Sequence, residues 1–106
     1  MAHAVQTIDT LPDEPIAAAA HYFEHSLSAT ERLLTVTETS AITILLPSAP
    51  PAHDDWRRTL ARDLARKYAP KRVNVVSIGD PKPTRELLAY LGDALGVTGH
   101  YCAAHE

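Results

Sequence analysis

The sequence has one cysteine, Cys102, one tryptophan, one phenylalanine and four glycines, all four of them beyond residue 78. A lone cysteine excludes an internal disulfide and suits a reducing compartment, so a cytoplasmic location is expected. Met1 to Thr10 has no basic start and carries Asp9, so it does not read as a secretory signal. The longest apolar runs, such as Ile44 to Pro47 and Ile16 to Ala20, fall far short of the roughly 20 residues that cross a bilayer. There are no repeats, no low-complexity tract and no glycine-serine linker; proline provides the punctuation.

What is present is the balance of a folded domain: 106 residues, 45% apolar and 22% charged, enough for one core spanning residues 1–106. The formal net charge of −3 conceals an asymmetry. Residues 1–53 hold six acids and one arginine, and residues 54–72 hold three acids and seven bases. An acidic whole with few aromatics is not the footprint of a nucleic-acid binder. The basic cluster Arg57, Arg58, Arg62, Arg66 and Lys67 reads first as a solvated helix face. Arg57, Arg58, Arg62 and Arg66 are also the candidate residues for an anionic ligand such as a nucleotide or an acyl carrier.

Ala4 to Thr10 alternates loosely as a strand, and Leu11 to Pro15 turns into a helix, with Asp13 as the expected N-cap. That helix runs from Pro15 to about Thr30 or Leu34. Ile16, Ala19, Ala20, Phe23 and Leu27 recur at helical spacing as its expected buried stripe. Ala41 to Leu46, rich in β-branched residues and stopped by Pro47, suits a strand covered on both faces. A second helix spans Pro51 to Tyr68, with Trp56, Leu60, Ala61, Leu64, Ala65 and Tyr68 on one face. Arg72 to Ile78 is a second buried strand. A third helix follows Thr84, using Leu87, Leu88, Leu91 and Leu95, with Gly96 as its expected C-terminal cap, and Val97 to Ala103 forms a last short strand. Alternating strands and helices imply right-handed crossovers and an α/β fold: three layers, a mostly parallel sheet of three or four strands, helices on both faces. So small a sheet leaves its flanks and an edge short of cover, which points to association with another chain.

The stretch Arg58 to Ala65, followed by Ala69-Pro70-Lys71-Arg72-Val73-Asn74-Val75-Val76-Ser77-Ile78-Gly79, resembles the late helix and strand of the short-chain dehydrogenase/reductase superfamily. That family typically reads R-x-L-A-x-E-L-A-P-x-x-I-R-V-N-x-V-x-P-G there. Thr84 and Val97-Thr98-Gly99-His100 are similar to the threonine after the family's Pro-Gly and to its V-T-G-x, and Ala41 to Ser48 is similar to its I-V-N-I-S-S strand. The resemblance implies a half Rossmann-like domain corresponding to the second half of such an enzyme. It also implies where the family's machinery would lie. The early glycine-rich turn that receives a dinucleotide pyrophosphate has no counterpart, since no glycine precedes Gly79. Ser48 occupies the place of the family's serine, but the Tyr-x-x-x-Lys positions fall near Leu46 to Ala52, which contains neither residue type, and Ile78 stands where the family has proline.

The expectation is therefore a pseudoenzyme without cofactor, metal or catalytic residues, acting as a scaffold or regulatory subunit that assembles with itself or with a full-length relative. Carried over from the family's four-helix interface, Ala17, Ala20, Trp56, Leu60 and Leu64 are the candidate contact residues, each of which also reads as core. A further interface would involve the final strand. His21 and His25 have an i, i+4 spacing compatible with a metal, and His100, Cys102 and His105 have ligand chemistry, but neither set has a complete site pattern. An enzyme of another type would centre on Ser48 and the histidines, with Cys102 reading as a small buried apolar residue. Adjacent Asp54 and Asp55 read as first-turn acids facing the helix dipole.

Overall fold

The structure, a computed structural model, describes residues 2–104; His105 lies outside the described residues. The elements run β1 (Ala2–Thr7), α1 (Pro15–His25), α2 (Leu27–Thr35), β2 (Thr39–Leu46), a 3-10 turn (Pro51–His53), α3 (Asp54–Lys67), β3 (Arg72–Ser77), α4 (Pro81–Asp93) and β4 (Tyr101–Ala103). All four strands are parallel and lie in the order β1-β2-β3-β4, with Ile42 opposite Val73 and Val75 opposite Tyr101. β2 and β3 are buried along almost their whole length because both faces are covered, and the polar residues this buries in β3, Arg72 and Asn74, are hydrogen-bonded to the chain around α4.

Strand alternation divides the core into two layers. Ile42, Ile44, Leu46, Val73 and Val75 face α1, α2 and α3, where they meet Tyr22, Leu34, Leu60 and Leu64. Leu45 and Val76 face the other way and meet Leu91 of α4, with Leu87 and Leu88 beside it. Three consecutive strand-to-strand steps thus go the same way along the sheet, while α4 lies on the opposite face from α1–α3. The α4 crossover therefore has the opposite hand to the other two, a departure from the uniformly right-handed connections expected. Side chains of β3 and neighbouring strands hold it in place. The Arg72 guanidinium donates to the carbonyls of Leu91, Ala94 and Gly92 at 2.8, 2.9 and 3.1 Å, filling the open carbonyl end of α4. Asn74 ties the next loop down, donating to Val97 O and accepting from His100 N.

Several element details differ from expectation. The first helix breaks at Ser26 into two, and its N-cap is Glu14, whose carboxylate accepts from Ile16 N and Ala17 N, one residue beyond Asp13. Pro81 opens α4 three residues before Thr84, and its C-cap is Ala94, so Gly96 closes nothing. Most of the expected stripe of α1 is turned outward: Ala18 and Tyr22 are buried, whereas Ile16 is 78% and Phe23 47% exposed, and of the stripe Leu27, which falls in α2, packs against the core as expected. The four alanines make two faces of this helix apolar, and Tyr22 takes the inner one because its hydroxyl reaches Thr30, at 2.5 Å, inside the core. Leu95 lies beyond the end of α4 and is exposed, outside the core assigned to it.

Candidate functional site

The carboxyl ends of β2, β3 and β4 open on a cleft of about 620 Å³, lined by Ser48, Asp54, Arg58, Gly79, Asp80 and Tyr101 among others. Parallel sheets generally bind ligands at this end, because the connecting loops converge there and expose backbone and helix N-termini. A smaller pocket of about 140 Å³ adjoins it across the Pro47-Ser48-Ala49-Pro50 loop, which two prolines stiffen, and is lined by Leu11, Pro12, Asp13, His53 and Arg57 from the other side.

Arg57 is the unusual residue here. It is 1% exposed, and its guanidinium carbon sits 5.4 Å from the Trp56 ring centre and 5.8 Å from that of Tyr101. Nη1 donates to the Tyr101 hydroxyl at 3.3 Å, while Nε is buried with no partner. His53, also buried, is fixed by its neighbours: Trp56 Nε1–H donates to Nδ1 at 3.2 Å, which leaves Nε2 as the proton-bearing atom, donating to Asp13 O at 2.8 Å. With both nitrogens engaged, His53 holds the loop before α1 against the start of α3 and has no free lone pair for Ser48.

The four candidate arginines do not form one surface. Arg57 points inward, and Arg58, Arg62 and Arg66 are exposed. Arg58 lies 3.7 and 3.4 Å from Asp54 and Asp55, and Arg66 lies 2.5 Å from Asp63, so acids on the same helix offset two of the three charges. Leu60 and Leu64 are core residues of this chain, while Ala17 and Ala20 are exposed and Trp56 is half-buried. Between α1 and α3 the apolar side chains leave two hollows. One of about 270 Å³ has Ile16, Ala19 and Trp56 in its walls, and one of about 170 Å³ has Phe23 and Leu27 over a floor of Leu60 and Leu64. The rings of His21 and His25 lie 4.5 Å apart with their planes tilted by 49°, and no group of three or more metal-ligating side chains occurs among the described residues. Cys102 is half-buried, and burial pushes its thiol above the usual range, away from thiolate chemistry. Tyr101 and His53 were not among the residues singled out from sequence. Their roles depend on β4 meeting α3 and on the loop before α1 meeting His53, which no local spacing encodes.

A dinucleotide, which the family resemblance brings into question, does not fit these residues. The α1 N-terminus is filled by the Glu14 carboxylate, which the amides of Ile16 and Ala17 hold below the usual carboxylate range. Asp54 and Asp55 occupy the first turn of α3, and the loop leading to α4 is used internally, Gly79 N donating to Thr84 Oγ1 at 3.0 Å. Gly79 itself answers a packing need: a Cβ there would lie 2.3 Å from Ala104 O. No helix among the described residues is long and apolar enough to cross a membrane. Comparison with curated proteins and with solved structures finds no match. A family model described as short chain dehydrogenase-like protein matches residues 6–104, almost the whole chain and including every strand that builds the cleft. With its parallel half-Rossmann sheet and the Arg72-Val73-Asn74 strand that anchors α4, the chain belongs to the short chain dehydrogenase-like family.

Proposed function

We propose that this protein is a non-catalytic member of its family, a cytoplasmic scaffold or regulatory subunit that works by assembly, with a second copy of itself or with a full-length relative. The observation that carries this reading is the apolar outer face of α1 and the groove it shares with α3: Ile16 and Phe23 stand in water beside Ala19, Leu27 and Trp56. A helix apolar on two sides buries one against its own sheet and leaves the other for a partner. The non-catalytic part is supported by the sequence around Ser48, where the family's tyrosine and lysine have no counterpart, and by the engagement of both His53 nitrogens.

The test is solution mass by light scattering for the wild type and Phe23→Asp. Leu60→Asp is unsuitable because Leu60 is core and its replacement would unfold the chain. Self-assembly predicts a wild-type dimer or larger that becomes monomeric with Phe23→Asp while its circular dichroism is unchanged. A wild-type monomer at tens of micromolar protein would overturn it.

A further inference from the structure

We propose that the pocket around Arg57 is a binding site for a monocarboxylate with a small apolar body, held head-first against the guanidinium. A guanidinium remains charged at any pH a folded protein meets, and burying it without an anion is costly. Among the described residues none of the ion pairs includes Arg57; Asp54, which lines the adjoining cleft, is turned to Arg58. The two aromatic rings offset part of the cost through their faces, and the Tyr101 hydroxyl takes one donor. Nε remains buried and unpaired, and Arg57 is the one arginine or lysine among the residues lining the smaller pocket.

The chemistry of the walls selects the ligand. One guanidinium supplies one positive charge and a planar fork that matches a carboxylate; a phosphate dianion would need a second cation, and the pocket has none among its lining residues. Leu11, Pro12, Pro47, Ala49 and Pro50 give the pocket apolar walls, Asp13, Ser48 and His53 complete its lining, and about 140 Å³ admits a short alkyl body only. This site is independent of the assembly reading, since it opens at the strand ends and not in the α1–α3 groove.

Trp56 is the only tryptophan and stacks on the guanidinium, so its fluorescence reports on the site directly. At fixed protein concentration the wild type is titrated with sodium butyrate, with butyramide as the uncharged isostere and with inorganic phosphate, ionic strength being matched with sodium chloride. The expected result is a saturable change with butyrate, none with butyramide, and phosphate weaker than butyrate. Arg57→Met, checked for folding by circular dichroism, should bind butyrate at least about tenfold more weakly. An equal response to butyramide, no saturable response to butyrate, tighter binding of phosphate, or undiminished butyrate binding by folded Arg57→Met would each overturn the proposal. The comparison among the three probes needs no variant, so it stands even if Arg57→Met fails to fold. A monomeric wild type in light scattering leaves this result unaffected, which keeps the two readings separable.

Discussion

His3 shows what a single half-buried side chain contributes in this fold. Its Nε2 meets Thr43 Oγ1 at 2.8 Å across the β1–β2 pair, and its ring lies against Gly92, where any side chain would collide with it. Burial first, and then the Arg72 charge, hold its pKa below the ordinary 6.5, with Asp93 opposing. The unfolded chain therefore takes up the proton at a higher pH than the folded one. The stability that His3 contributes is complete above pH 6.5 and is lost as the pH falls below 6.5 through the folded-state value. Urea midpoints measured at pH 7.5 and 5.5 should fall more for the wild type than for His3→Gln, which keeps a hydrogen-bonding group near Thr43 but does not titrate. Equal falls would mean that His3 adds no pH dependence. Tyr22 is the apolar counterpart: burial pushes its phenol up to about 12, so it stays neutral while Thr30 bridges it to Gln6.

At the level of elements, α4 depends on a residue outside itself. Its last carbonyls have no capping glycine, and Arg72, buried at the start of β3, supplies three donors to them. Arg72→Met would strand those carbonyls beside an apolar side chain. The expected cost is about 2–3 kcal/mol, read as a lower urea midpoint with an unchanged slope. The Arg72-Val73-Asn74 run was legible in the sequence as a family pattern; its physical meaning, clamping α4 and the loop before β4 to the sheet, needed the three elements in place. The α1 stripe failed for a related reason. Four successive alanines make the inner and outer faces of that helix nearly equivalent in hydrophobicity, so periodicity alone had no ground for choosing Tyr22 over Phe23. Likewise, the break at Ser26 is invisible to a periodic pattern that continues on either side of it.

Over the whole molecule, the sheet is a short parallel ribbon in which β1 and β4 each pair on one side only among the described residues, and β4 blunts its edge by being three residues long. β1 is longer and carries exposed Val5, which points with His3 to the α4 face, whereas Ile16 and Phe23 stand on the outer face of α1. Assembly through the α1 face would link folding to association. The thermal midpoint of the wild type should then rise with protein concentration over a hundredfold range, while that of Phe23→Asp stays constant. A wild-type midpoint independent of concentration would count against self-assembly.

The sequence by itself determined the α/β class, the order of strands and helices, the two central strands and the inward face of α3, because each follows from apolar periodicity and proline punctuation within a few residues of chain. Only the tertiary structure decided the rest. It separated Arg57 from Arg58, Arg62 and Arg66, because a helix places neighbours about 100° apart and the inward position met Trp56 and Tyr101. It put α4 on the opposite face, with the reversed hand, because Leu45 and Val76 offered an apolar surface there. It joined Ser48, His53 and Tyr101 around one pair of pockets, because parallel strands bring distant loops to the same end of the sheet. Apart from Arg57 with its neighbour Trp56, these contacts lie between residues that the chain separates and only the closed sheet brings together.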